Sequence, residues 1–233
     1  MKPVFYSAPI QLPRPGKAAD REIRAGIQQL NRRALELWQA AALIAASEPG
    51  LLTASARDSA RRRGIAAGRR ILSGSAKGKA RIAYFRTLTG AGLHADSETA
   101  ASTAERVWLL EDRYGLADSY LRAVADTALQ NHAECILCPN PLRRDQLEAV
   151  FLPSCHAAFI SLTAIDTTGD VIGRRVHLDR IPDAENKQAL RTILKESRKW
   201  IDALTSRAAG LLKNAEILRD LNTDTCAEID PCL

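Results

Sequence analysis

Residues 106–129, RVWLLEDRYGLADSYLRAVADTAL, set an apolar run, a polar turn holding one glycine and a helical run in the order in which many proteins hold a nucleotide phosphate. A phosphate-binding loop works because backbone N–H groups converge on the β-phosphate while a lysine ammonium neutralises the outer oxygens. Glycines let the backbone curl that closely. Here the turn runs through Asp112, Arg113, Tyr114, Gly115, Leu116, Ala117, Asp118 and Ser119. Gly115 and Ser119 suit the task, and Asp118 stands in the lysine position. Like charges about 4 Å apart repel by on the order of 4 kcal/mol at an effective dielectric near 20, so Asp118 opposes a triphosphate. An aspartate at a helix start also complements the macrodipole and caps free N–H groups. The expectation is that Asp118 and Ser119 stabilise a helix without ligand. The alternative is a phosphate held in a non-standard way by Arg113, Ser119 and backbone N–H groups.

Other chemistry-bearing stretches are weaker. GSAKGKA offers Gly74, Gly78 and Lys79, but Lys79 is followed by Ala80 and a strand pattern, not by Ser or Thr and a helix, so it reads as a basic linker. Cys135 and Cys138 have zinc-site spacing, with Cys155-His156 downstream. The run around them reads as a strand, whose residues three apart face opposite sides, so buried thiols are expected and no metal. His94, His132 and His177 find no partners in the sequence, and Asp166 and Asp179 sit at strand ends where catalytic and capping acids both occur. Between residues 57 and 86 ten basic residues face one acid, which concentrates the +6 net charge of the chain. Arg61, Arg62, Arg63, Arg69, Arg70, Lys77 and Lys79 form a patch able to neutralise nucleic-acid phosphates, although no aromatic stacking pattern accompanies it before Tyr84 and Phe85. A solvated helix face is the competing reading.

The elements that position these groups follow from periodicity. Residues 1–17 are proline-rich and read as an irregular lead-in. Ile23, Ile27, Leu30, Ala34, Leu37, Ala41 and Ile44 keep a four-three rhythm, and Leu190, Leu194, Ser197, Ile201, Leu204, Ala208, Leu211, Ala215 and Leu218 repeat it. A seam on a lone helix leaves apolar surface in water at about 25 cal/mol per Å², so these arms are expected to pack on each other or on a second copy. Between them, strands are expected at 82–88, 107–110, 134–137, 149–152, 158–162 and 176–178, and helices at 55–73 and 119–131. Short apolar strands alternating with helices indicate a mostly parallel, buried sheet in an α/β fold. The organisation expected is lead-in 1–17, helical arm and basic helix 18–73, α/β core 74–182, C-terminal arm 183–221 and tail 222–233. With 46% apolar residues in 233, a sizeable core is available. No signal-peptide pattern opens the chain and no apolar run approaches eighteen residues, so a cytoplasmic protein with reduced thiols and no membrane partner is expected.

The run RIAYFRTLTGAGLHADSETAASTAERVWLLEDRYGLADSYLRAVADTAL, followed by CPNP, LEAVFLPSCHAAFISLT and VHLDR, resembles a family of bacterial P-loop ATPase-like proteins built as tandem duplications. The resemblance covers roughly residues 18–221, arms included. It implies a three-layer P-loop NTPase-like core, with the chain corresponding to a second half plus the arm that ends a first half. The family's phosphate loop falls on Asp112–Ser119: Gly115 and Ser119 match, while Asp112, Ala117 and Asp118 replace Gly, Gly and Lys. Leu137 stands at the family's histidine, and Ser154 follows Pro153 where the family has glutamate. ATP with magnesium is implied by the resemblance alone. The departures imply a degenerate, catalytically inactive member with a structural or regulatory role, completed by a partner chain carrying an intact loop or by self-association through the arms. Nucleotide binding without hydrolysis, and nucleic-acid binding through the basic segment, are the alternatives.

Overall fold

Alanine decides how the two long helices meet. In the computed structural model, which describes residues 17–47, 52–72, 78–95, 104–164, 172–181 and 187–227, helix α1 spans Lys17–Ser47 and α4 spans Lys187–Ala227. Ala34, Ala41 and Ala45 of α1 are buried, as are Leu194, Ala208 and Ala215 of α4. Small side chains let the two backbones approach closely, and the expected four-three seams are the faces that meet. The pair is antiparallel: Gly26 lies near Leu218, while Ala45 shares a cleft wall with Arg198 and Ile201. The arms therefore cover each other within one chain. Helix α4 continues beyond 221, the end expected for the arm.

Helix α2 spans Ala54–Ile71 and starts where Thr53 Oγ1 accepts the Ala56 N–H at 3.2 Å. Its buried stripe is Ala56, Ala60, Gly64, Gly68 and Ile71, and it rests on α3, Ala117–Gln130. Gly64 is there for space: a Cβ would sit 2.9 Å from the Ala123 Cβ and closer still to the Tyr120 carbonyl.

The sheet has six strands in the order β1 (Ala80–Ile82), β5 (Cys135–Asn140), β6 (Arg143–Leu152), β7 (Ala157–Ser161), β4 (Arg106–Glu111), β8 (Arg174–His177). All run parallel except β6, which is antiparallel to both neighbours. β7 and the C-terminal half of β6 are fully buried, as a sheet covered on both faces requires. Helices α2 and α3 cover one face, where Trp108 stacks on Phe159 at 4.8 Å. On the other face Phe85 and Ala95 close over Ala149, Phe151, Ala158 and Ile160. The fold is thus α/β with a mostly parallel sheet, as the strand pattern indicates. Among the described residues no helix is long and apolar enough to cross a membrane.

Several strand boundaries differ from expectation: β5 runs on to Asn140, past the expected 137, and β8 starts at Arg174, before the expected 176. The single strand expected at 82–88 is two strands, β1 and β2 (Arg86–Thr89), because the chain bends at residues 83–85 to bury Phe85 against Phe151. β2 then pairs with β3, Gly92–Ala95, in a hairpin whose turn is held by Thr89 and by Gly92 at φ +123°. β6 begins at Arg143, six residues before the expected 149, because its polar first half lines a cleft. Lys79 runs straight into β1, and its carbonyl accepts the Cys135 N–H at 3.0 Å, which agrees with a linker there. The rest of that motif, Gly74 and Lys77 included, lies outside the described residues, as do Asp166 and the lead-in before Lys17.

Gly64→Ala is expected to force α2 off α3 and lower stability by about 1–3 kcal/mol. Gly210→Ala, where a Cβ meets nothing within 4 Å, is expected to raise it by about 0.5–1 kcal/mol. Urea denaturation of both variants checks this, and equal effects would contradict the packing described.

Candidate functional site

The apolar half of β4 ends at Glu111, and the chain then turns into α3 within five residues. Asp112, the first of them, is buried and turns its carboxylate inward. Oδ1 accepts the N–H groups of Tyr114 at 3.1 Å and Gly115 at 2.9 Å, and Oδ2 accepts that of Ala117 at 2.7 Å. Gly115 has φ +83°, which a side chain would strain, so the turn closes around the carboxylate only with glycine there. Three converging N–H groups at a helix start form an anion nest. In this chain the anion is its own. Burial pushes the Asp112 carboxyl above the ordinary range, and the backbone N–H groups pull it the other way.

Asp118 does not cap the helix, as its sequence position suggested. Its Oδ1 accepts the Leu147 N–H of β6 at 2.8 Å, and its carboxylate pairs with Arg122 at 2.9 Å. Arg122 in turn donates to the Asp145 carbonyl. The capping work falls to Asp112, six residues earlier, because only a residue before the turn can reach back to the free N–H groups. Asp118 and Arg122 instead tie the first turn of α3 to the polar half of β6.

Arg113 points elsewhere. Its N–H donates to Asp179 Oδ1 at 2.6 Å, its guanidinium pairs with Asp179 Oδ2 at 3.1 Å, and its carbonyl accepts from Arg198 at 2.7 Å. Asp179, just beyond β8, thereby pins the turn to the sheet edge, and Arg198 pins it to α4. One strand end earlier, Glu111 bonds Arg175 at 2.7 Å and His177, and the Arg175 hydrogen bond leads the contacts that hold its carboxyl below the usual value. These partners give His177 and Asp179 structural tasks that their sequence positions did not reveal.

Beside the turn lies a cleft of about 220 Å³ at the C-terminal ends of β4, β5 and β7, where the chain leaves β4 toward β5 on one side and pairs β8 on the other. Such a switch point is where open α/β sheets bind ligands. Asp112, Gly115, Ala117 and Asp118 line it; Arg113 and the half-buried Ser119 do not. Sequence reasoning missed the other charged groups of the lining: Arg86, Arg143, Glu148, Arg198 and Asp202. Arg86 from the hairpin reaches Glu148 Oε2 with Nε at 2.9 Å and Nη2 at 2.6 Å, and donates through Nη1 to the Thr163 carbonyl at 3.1 Å. Glu148 is 2% exposed, and burial pushes its carboxyl up despite Arg86. The available signal was a charge abutting the apolar run AVFL on a buried strand.

Of the basic patch, Arg61, Arg62, Arg63, Arg69 and Arg70 are exposed on α2, with Arg61 and Arg69 beside Asp126 and Asn131 at the α3 side, and Lys79 is exposed before β1; Lys77 lies outside the described residues. Arg62 bonds Ser59, and Arg63 donates to the His177 carbonyl. Phe85 is buried and so offers no stacking surface. Cys135 and Cys138 lie on opposite faces of β5, one in each core cluster, and burial pushes the Cys138 thiol up to about 12. Among the described residues no group of histidines, cysteines and carboxylates has the makings of a metal site.

Fold and cleft define an α/β protein with a mostly parallel sheet and a polar site at its switch point. No known protein family, curated protein or solved structure matches the chain.

Asp112→Ala is expected to cost about 2–3 kcal/mol, from three N–H groups left without an acceptor, and Asp112→Asn about half that. Urea midpoints check it, and a loss below about 0.5 kcal/mol would show that the carboxylate does not hold the turn. Glu148 titrates in the fold above its ordinary 4.5. Between those values the folded chain keeps a proton that the unfolded chain has lost, so the contribution is full below about 4.5 and vanishes as pH rises through the folded value. The stability of the wild type relative to Glu148→Gln should therefore grow as pH falls through the raised folded value toward 4.5, and paired denaturation curves showing the opposite slope would refute it.

Proposed function

We propose that this chain is a P-loop-like α/β protein that neither binds nor hydrolyses ATP and acts as a structural or regulatory component alongside a chain with an intact phosphate loop. One observation carries the reading: the three N–H groups that would cradle a phosphate after β4 all donate to Asp112. A triphosphate would have to displace a carboxylate that is covalently part of the loop and therefore present at very high effective concentration. Asp118, at the lysine position, adds negative charge and is itself committed to Leu147 and Arg122. Arg113, the cation nearest in sequence, is held by Asp179 outside the cleft. The helical arms satisfy each other's seams and leave the outer surface of the pair for a partner.

Thermal melts with millimolar ATP and magnesium test this. A ligand at a hundredfold its dissociation constant adds about 2.7 kcal/mol, a shift that is easily seen. The expected result is none, for the wild type and for Asp118→Lys alike, since Asp112 still fills the nest in both. Stabilisation of the wild type by ATP would overturn the proposal.

A further inference from the structure

Glu148 keeps one buried carboxylate oxygen unsatisfied in the cleft. Arg86 gives both of its hydrogen bonds to Oε2, while Oε1 is buried and accepts none among the described residues. A buried carboxylate oxygen without a donor is costly, and native proteins rarely leave one so. The other cations of the cleft have tasks of their own. Arg86 also donates through Nη1 to the Thr163 carbonyl, Arg198 bonds the Arg113 carbonyl, and Arg143 is likewise engaged. Asp112, Asp118, Glu148 and Asp202 line the same space as Arg86, Arg143 and Arg198, and Asp118 is already paired with Arg122. Ser161 and Thr163 add hydroxyl groups to the wall.

We infer that the cleft is a binding site for a small organic ammonium compound, whose N–H donates to Glu148 Oε1 as Arg86 donates to Oε2. The volume, about 220 Å³, suits a ligand of few heavy atoms. An ammonium N–H satisfies an oxygen that no described side chain reaches. Burial already disfavours the ionised form of Glu148, so a bound ammonium stabilises the charged carboxylate it contacts. The nest residues form part of the wall of this cleft, but the proposed contact is with Glu148 and does not require the nest to open.

Methylammonium and tetramethylammonium chloride at equal concentration make the test, since both carry one charge and only the first has N–H donors. Methylammonium is expected to raise the melting temperature of the full chain above the value in tetramethylammonium. It is also expected to shift the Glu148 side-chain carboxyl carbon resonance, a reading that needs no variant. Glu148→Gln should weaken methylammonium binding roughly tenfold or more, the loss of one charge-assisted hydrogen bond. Asp202→Asn, at the exposed rim, should weaken it less and serves if the Gln variant fails to fold. Equal effects of the two salts and an unmoved Glu148 resonance would overturn the inference and leave water as the donor. Undiminished methylammonium binding by a folded Glu148→Gln chain would overturn it equally, by placing the cation elsewhere.

Discussion

The hydrogen bonds from Tyr114, Gly115 and Ala117 to the Asp112 carboxylate set the geometry on which the centre of this protein depends. A helix begins with N–H groups that have no partner inside it, and a strand leading directly into a helix must turn within a few residues. Both demands fall on residues 112–116, and a single buried carboxylate meets them. The turn becomes a closed unit, with its acceptor supplied from within and its one left-handed position taken by Gly115.

Around that unit the chain has arranged ties to every neighbouring layer. Asp179 holds it to the edge strand, Arg198 to the C-terminal arm, and Asp118 with Arg122 to the antiparallel strand. Each tie joins a main-chain group to a charged side chain, which makes it directional in a way that apolar packing is not. The C-terminal arm is thus joined to the turn by a polar contact at the same end where the cleft opens. The arms, the turn and the cleft form one connected structure.

Much of the scaffold was legible in the sequence because it rests on period and apolarity. The seams of the two arms, the apolar strands 107–110 and 158–162, and the opposed faces of Cys135 and Cys138 all follow from spacing alone. What escaped was set by contacts between distant residues. Phe85 turns a strand into two because Phe151 awaits it on the other side of the sheet, and nothing near residue 85 announces Phe151. Asp112 and Asp118 exchange the roles that their positions suggest because a carboxylate ahead of the turn reaches the free N–H groups, while one inside the helix faces β6. Arg86 and Glu148 meet only after the hairpin folds over the sheet.

The antiparallel pairing of α1 with α4 joins the two described ends of the chain, with the whole sheet lying between them in sequence. Contacts so far apart along the chain carry the largest loop-closure cost and form late. During synthesis α1 leaves the ribosome with its seam of isoleucine, leucine and alanine uncovered, and it stays so until α4 has been made. For that interval the first arm is an amphipathic helix in search of a partner. Leu190 and Leu194 of α4 also pack into the core cluster under the sheet, so the helix that covers the first arm also completes the core, and until it docks both surfaces are open to misassociation.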